Sequence, residues 1–218
     1  MRVNNRRADL RMTMPLKLTV TTLLFEQFEL LDVFGPLEMF GLLPDKYQLK
    51  LVSEQGGAIS SSQGIKVLTD YSFQDIFLTD ILIIPGGEGI KNEVNNSNLL
   101  AWLNKTAPNI QYICSVCTGA VILANAGLLE DCKATTNKKH YHWVTRYGKD
   151  IDWQPVARWV QDGTVFTSSG TAAGIDMSLA LIAEQYSEEV ARKVAIHAEY
   201  LWQNDPNDDP FAPLHIVR

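Results

Sequence analysis

Apolar runs alternate along the chain with segments whose apolar residues recur at helical spacing. Residues 16–24 and 47–53 are rich in leucine and β-branched residues, and the segment between them has helical apolar spacing around Gly35-Pro36. The run Asp80-Ile-Leu-Ile-Ile-Pro85 is almost wholly apolar, which is typical of a strand buried on both faces of a parallel sheet. The pattern therefore predicts a β-α-β unit followed by a central strand.

The same alternation continues to residue 203. Further strands are predicted at 64–69, 110–116, 156–160 and 164–168, and helices at 97–106, 118–129, 137–147, 170–184 and 187–203. Strands that alternate with helices over this length predict a doubly wound α/β domain with helices on both faces of a mainly parallel sheet. Ligands of such domains bind at the carboxyl ends of the strands.

Composition narrows the class of protein. Of 218 residues, 46% are hydrophobic and 20% are charged, as in ordinary globular domains. The formal net charge is −6, and residues 1–13 hold four arginines and one aspartate, so the rest of the chain carries −9. Because so acidic a body repels a phosphate backbone, we expect no nucleic-acid partner. No apolar run suits a membrane span and the start lacks a secretory signal, so we expect a cytoplasmic protein without a membrane partner.

No repeat or linker divides the sequence. We predict a flexible N-terminal extension over 1–14, one domain over 15–204 and a C-terminal tail over 205–218. The prolines and acidic residues of 205–211 indicate a solvated terminal loop rather than a calcium site. Three cysteines make no disulfide framework and suit a reducing compartment.

Cys117 is the strongest candidate for chemistry. It follows the predicted strand 110–116 and precedes a helix that begins with Thr118-Gly119-Ala120, which makes the turn a cysteine counterpart of the nucleophile elbow. The positive end of a helix stabilises a thiolate, so we expect a lowered pKa for Cys117. Gly119 and Ala120 add little bulk, which we expect to leave room for a substrate. Cys114 and Cys132 are expected to be packing residues.

Two further segments lie where predicted strands end. Gly86 and Gly87 let the backbone approach a ligand and aim N–H groups at it, as an oxyanion hole requires. Asp32 either caps the helix after the first strand or acts as an acid, since its apolar neighbours would raise its pKa and let it share a proton with a thiolate. We expect no metal site, because His140 and His142 diverge on the helix predicted over 137–147.

Five motifs, taken together and in order, resemble those of the ThiJ/PfpI superfamily. They are Asp32-x-x-Gly35-Pro36, Ile84-Pro-Gly-Gly87, Ser115-Val-Cys-Thr-Gly119, Ala134-Thr-Thr136 and Ser169-Gly-Thr-Ala-Ala-Gly-Ile-Asp176. The resemblance covers residues 16–204 and extends to the isonitrile hydratase branch, which also carries Asp-x-x-Gly-Pro, Ser-Val-Cys-Thr-Gly and Ala-Gly-Ile-Asp. It implies a single-domain, flavodoxin-like three-layer α/β/α sandwich of the class I glutamine amidotransferase-like type, a homodimer and no cofactor.

The resemblance also implies a role for each site residue. Cys117 becomes the nucleophile, Asp32 the acid paired with it, and Thr118 a helper beside the thiol, while the backbone of Gly86, Gly87 and Thr118 binds an anion. The implied activity is that of a hydratase or lyase that acts on a small-molecule electrophile. The concrete example is conversion of an isonitrile to an N-substituted formamide, in which the Cys117 thiolate attacks the terminal carbon while Asp32 protonates it.

Two other functions remain open. A glyoxalase-type enzyme would convert methylglyoxal to lactate on Cys117, but Thr118 and Asn137 stand where many such members of the superfamily have a histidine. A redox sensor or stress-response protein would oxidise Cys117 to a sulfinate next to Asp32. Asn137, His140 and Tyr200 are predicted as possible pocket residues in all three cases.

Overall fold

The computed structural model describes residues 17–75 and 77–216, so the extension predicted over 1–14 lies outside the described residues. The strands are β1 (Leu18–Leu23), β2 (Tyr47–Ser53), β3 (Ala58–Ser60), β4 (Lys66–Leu68), β5 (Tyr71–Ser72), β6 (Ile81–Ile84), β7 (Tyr112–Ser115), β8 (Lys133–Ala134), β9 (Asp152–Trp153), β10 (Trp159–Asp162) and β11 (Val165–Ser168). The helices are α1 (Leu30–Gly41), α2 (Ile90–Glu93), α3 (Ser97–Thr106), α4 (Ala120–Asn125), α5 (Tyr141–Val144), α6 (Ala173–Gln185), α7 (Glu188–His197) and α8 (Ala212–His215).

Seven strands form one sheet in the order β10-β11-β7-β6-β1-β2-β5. Every neighbouring pair is parallel except β10 and β11, which are antiparallel. Two small sheets accompany it, the antiparallel pair β3-β4 and the parallel pair β8-β9. The predicted α/β fold with a mainly parallel sheet is confirmed.

The centre of the sheet is covered on both faces. All four residues of β6 have zero exposure, as in a parallel strand between two helical layers. Helix α6 contacts both α1 and α7. No helix among the described residues is long and apolar enough to cross a bilayer. Strands β1, β6, β7 and β11 are neighbours that run the same way, so the segments after their carboxyl ends meet at one edge of the sheet.

The C-terminal part of the chain departs from the prediction. Helix α7 ends at His197, six residues before the predicted end, because the chain reverses at Glu199, whose φ is +51°. The segment 205–211 is largely the exposed loop predicted from its composition, but Pro206 and Asp209 hold it against the domain. The Arg158 N–H donates to the Pro206 carbonyl at 2.7 Å, Asp209 is only 4% exposed, and helix α8 follows.

The helix predicted over 137–147 is reduced to the four residues of α5. Two side chains before it turn inward: Asn137 reaches the Cys117 sulfur, and the Lys138 ammonium donates to Thr135 Oγ1 at 2.7 Å and to the Ala157 carbonyl. These contacts fix the segment in an irregular path. The helix predicted over 118–129 likewise covers only 120–125.

Candidate active site

Cys117 sits on a tight turn between β7 and α4. It opens a 3-10 turn, Cys117–Gly119, with a φ of +58°, a backbone conformation that is strained for a residue with a side chain. Its N–H donates to the Ser169 carbonyl at 3.1 Å, and its carbonyl accepts from Thr136 Oγ1 at 2.8 Å and from the Asn137 N–H at 3.3 Å. The surrounding structure thus holds the strained residue in place, and strand, turn and helix form the predicted elbow.

The Cys117 thiol is buried. The residue is 7% exposed, Asn137 Nδ2 donates to Sγ at 3.0 Å, and the Thr118 N–H also bonds to the sulfur. Burial raises the pKa of the thiol well above 9.0 and the negative charge of Asp32 raises it further, while the Thr118 and Asn137 donors lower it by less. The predicted lowering of the Cys117 pKa is therefore wrong. Helix α4 begins only at Ala120, and desolvation outweighs its positive end.

Asp32 is the third residue of α1 and has no exposed surface. Its Oδ2 accepts the Gly86 N–H at 2.8 Å, and its Oδ1 has no hydrogen-bond partner within the part of the chain that the structure describes. Burial raises the pKa of Asp32 from 3.8 to about 8 against the opposing effect of the Gly86 bond. Asp32 therefore does not cap α1, and it keeps its proton at neutral pH as a poorly solvated acid.

The predicted oxyanion hole has a different arrangement. The Gly86 N–H is already bonded to Asp32, so it is not free to bind a substrate anion. Thr118 Oγ1 is buried and has no partner among the residues of 17–75 and 77–216. The Thr118 side chain nevertheless acts on the Cys117 thiol, since both it and the Thr118 N–H lower the pKa of that thiol, and anion binding by Gly87 and Thr118 stays a prediction.

A cavity of about 590 Å³ opens above Cys117. It is lined by Gln27, Glu29, Gly87, Glu88, Ile90, Lys91, Cys117, Thr118, Asn137, Lys139, His140, Trp143 and Thr171. Asn137 and His140 are thus at the cavity wall, and the structure places them together with Cys117. Burial lowers the pKa of His140, and the charges of Lys139, Lys91 and His215 lower it further.

Tyr200 lies elsewhere, although it was predicted as a possible pocket residue. Its hydroxyl donates to Asp176 Oδ1 at 3.0 Å, in a buried cluster where Arg158 Nε also binds Asp176, at 2.8 Å. The reversal of the chain at Glu199 turns Tyr200 toward this cluster. His142 follows His140 by two residues and does not line the cavity.

Two glycines have roles that the sequence reasoning missed or misassigned. A Cβ on Gly170 would lie 2.1 Å from Asn137 Nδ2 and 3.2 Å from Cys117 Sγ, so only glycine lets this segment approach the thiol. Gly170 follows β11, the neighbour of β7 in the sheet, and that adjacency is the signal that could have found it. A Cβ on Gly119 would lie 2.2 Å from the Ile84 carbonyl. Gly119 therefore makes room for β6 rather than for a substrate.

These features define a class, the α/β proteins that carry a buried cysteine on a strand-turn-helix elbow. The sequence pattern of the DJ-1/PfpI family matches residues 18–184, and the chain belongs to this family.

Three similarities illustrate its range. The isonitrile hydratase of Pseudomonas putida is 34% identical over 184 residues, 84% of this chain and 78% of that protein. The crystal structure of a ThiJ/PfpI family protein from Pseudomonas syringae superposes with a TM-score of 0.78 at 28% identity, over 90% of this chain and 78% of that one. The HTH-type transcriptional regulator GbdR of Pseudomonas aeruginosa is 28% identical over 197 residues, 85% of this chain but 51% of the regulator.

Proposed function

We propose that this protein is a cysteine-dependent hydro-lyase that adds water to isonitriles and releases N-substituted formamides. One observation carries the proposal: a fully buried carboxyl, Asp32, whose pKa of about 8 keeps it protonated at neutral pH, lies close enough to Cys117 that each group shifts the pKa of the other. The similarity to a bacterial isonitrile hydratase supports the same reaction.

The terminal carbon of an isonitrile suits this pair of groups, because it accepts a proton and a nucleophile at the same atom. Asp32 gives its proton to that carbon while Cys117 Sγ bonds to it, and the thiol proton passes to the carboxylate left behind. The product is a thioimidate in which the former isonitrile carbon carries one hydrogen and the sulfur. Asp32 ends this step protonated, so no preformed thiolate is needed.

Water completes the reaction. Asp32 protonates the imine nitrogen as water adds to the thioimidate carbon, and the resulting tetrahedral adduct expels Cys117 sulfur. The formamide oxygen comes from the water, and its two protons restore the Asp32 carboxyl and the thiol. The Thr118 hydroxyl and Asp32 Oδ1 support this step, because both are buried polar groups near the thiol that can hydrogen-bond a water.

Purified protein and a simple alkyl isonitrile test the proposal, with formamide production followed by NMR. We expect C117S to lose about a thousandfold or more in kcat, since serine is a much weaker nucleophile, and D32N to lose about a hundredfold, as is usual for a missing general acid. C132S is the matched control, because Cys132 lies outside the cavity, and it should retain full activity. Mass spectrometry should detect substrate on the peptide that contains Cys117 when the wild-type reaction is quenched, and none in D32N, which lacks the acid that the first step requires.

Turnover that survives in C117S would contradict the proposal. Conversion of methylglyoxal to lactate without isonitrile hydration would replace it with the glyoxalase-type function. A protein that hydrates no isonitrile but adds two oxygens to Cys117 under mild peroxide would be a redox sensor instead.

A further inference from the structure

Two lysines and a histidine line one part of the cavity above Cys117, in a protein of net charge −6. Lys91 belongs to α2, and Lys139 and His140 immediately precede α5. The three are neighbours, since the charges of both lysines act on His140, as does that of His215. The two lysine charges both lie near His140, and two like charges near one another are unfavourable in the absence of an anion.

Neither lysine has an acidic partner in the part of the chain that the structure describes. The ion pairs of residues 17–75 and 77–216 include neither Lys91 nor Lys139. Two acids also line the cavity, Glu29 and Glu88. Glu29 instead accepts from Gln63 Nε2 at 2.8 Å. The cavity therefore has basic and acidic groups that do not pair with one another, and its basic groups are free to bind a ligand anion.

Apolar surface lies next to the basic groups. Ile90 and Trp143 line the same cavity, each close in sequence to a basic lining residue. A cavity of about 590 Å³ is within the usual range for small-molecule sites, which combine apolar walls with a few orienting polar groups. The lining thus offers apolar contacts, chiefly from the partly exposed Trp143, and a place for negative charge.

We propose that the substrate of this site carries a carboxylate at the end remote from its reactive carbon, and that Lys91 and Lys139 bind this carboxylate. The inference rests on the proposed function for the identity of the reactive group, an isonitrile at Cys117. The hydrocarbon part of such an isocyano acid lies against Ile90 and Trp143. His140 donates a hydrogen bond to the carboxylate from the same side of the cavity.

Turnover of an isocyano-substituted hexanoate and of its methyl ester tests the preference, because the two differ by one charge. We expect kcat/KM to be about tenfold higher for the acid, the effect of two partly exposed lysine-carboxylate pairs. The double variant K91Q/K139Q should lose this preference, so that its kcat/KM for the acid falls to its value for the ester. The double variant K66Q/K105Q makes the same change of net charge outside the cavity and should behave as the wild type does.

Alkylation of Cys117 provides a second measurement that does not require isonitrile turnover. Iodoacetylglycine and its amide react with the same thiol but differ in charge, so the ratio of their rates reports the potential in the cavity independently of the thiolate fraction. K91Q/K139Q should lower the acid-to-amide ratio about threefold or more at low salt, and added salt should shrink the difference. The peptide that contains Cys132 is the internal reference.

The two measurements separate the two proposals. If neither isonitrile is hydrated but the alkylation ratio falls in K91Q/K139Q, the proposed reaction fails and selection of a carboxylate stands. If the wild type hydrates the ester as well as the acid, or if the preference and the alkylation ratio survive K91Q/K139Q, the two lysines do not select a carboxylate and the inference is overturned.

Discussion

Replacing Asp32 with asparagine should stabilise the fold while it removes the proposed acid. The wild-type carboxyl is fully buried with a pKa of about 8, against 3.8 when it is solvated. Asparagine has almost the same shape, keeps an oxygen that can accept the Gly86 N–H, and does not ionise. The substitution therefore removes one proton linkage from the folding equilibrium and leaves the rest of the core unchanged.

The sign and the size of the effect follow from that linkage. Between pH 3.8 and about 8 the folded chain keeps a proton on Asp32 that the unfolded chain releases, so stability falls as the pH rises. Each pH unit lowers the free energy of unfolding by about 1.4 kcal/mol. Roughly three pH units separate 3.8 from pH 7. Over that range the free energy of unfolding of the wild type falls by about 4 kcal/mol, and that of D32N does not.

Urea unfolding of wild type and D32N at several pH values from 4 to 7.5 measures the effect. The quantity to compare is the change with pH in the difference between their free energies of unfolding, because the new amide N–H₂ adds a cost of about 1–3 kcal/mol that does not depend on pH. D45N replaces an exposed aspartate away from the cavity and is the matched control. Its free energy of unfolding should differ from that of the wild type by the same amount at every pH in this range.

If the free energy of unfolding of D32N does not rise relative to that of the wild type between pH 4 and pH 7, the reasoning is refuted. Asp32 would then be ionised in the folded protein at neutral pH, and a carboxylate cannot supply the proton that the first step of isonitrile hydration requires. The same measurement thus tests the protonation state on which the proposed function depends, without any substrate.

Three further substitutions test the architecture of the site and its surroundings. N137A removes the amide that donates to Cys117 Sγ and should slow alkylation of Cys117 by iodoacetamide at pH 8 about tenfold, since the thiolate loses a donor; an unchanged rate would show that the bond does not stabilise it. G170A should abolish turnover while circular dichroism shows an intact fold, because the new methyl group would strike Asn137. R158M leaves the Asp176 carboxylate buried without its guanidinium partner and should lower the free energy of urea unfolding by about 3–5 kcal/mol. A loss below about 1 kcal/mol would mean that Tyr200 and the backbone are enough to stabilise that carboxylate.

The elements that the hydrophobic pattern predicted best are those with strong burial contrast or a single apolar run. The bounds of β2 and α3 match the predicted 47–53 and 97–106, and β6 differs by one residue from 80–84. Strands β3, β5, β8 and β9 have two or three residues each, too few for any periodicity to show. Their pairing depends on contacts far along the chain, which a local pattern does not contain.

Convergence of Asp32 and Cys117 was predictable because β1 and β7 flank β6 in a parallel sheet and end at one edge. The raised pKa of Cys117 was not predictable from the sequence, because it depends on how completely the whole chain buries the thiol. Helix dipole and backbone donors are local features that can be read from a sequence, whereas desolvation is a property of the assembled core. The anchoring of the tail has the same explanation: 205–211 is polar and mostly exposed, yet Arg158 contacts Pro206 and Lys138 contacts the buried Asp209.

Burial favours the protonated forms of both groups at the centre of the site, and this favours the proposed hydration over the other two functions that the sequence left open. Peroxide oxidation proceeds through a thiolate, which burial makes scarce at Cys117. Methylglyoxal conversion needs a base to move a proton between adjacent carbons, whereas Asp32 begins as an acid. Isonitrile hydration needs an acid and a thiol at one carbon, and returns both protons by the end of the cycle. The protonated thiol and carboxyl therefore suit the first step of the proposed hydration and oppose the first steps of peroxide sensing and of methylglyoxal conversion.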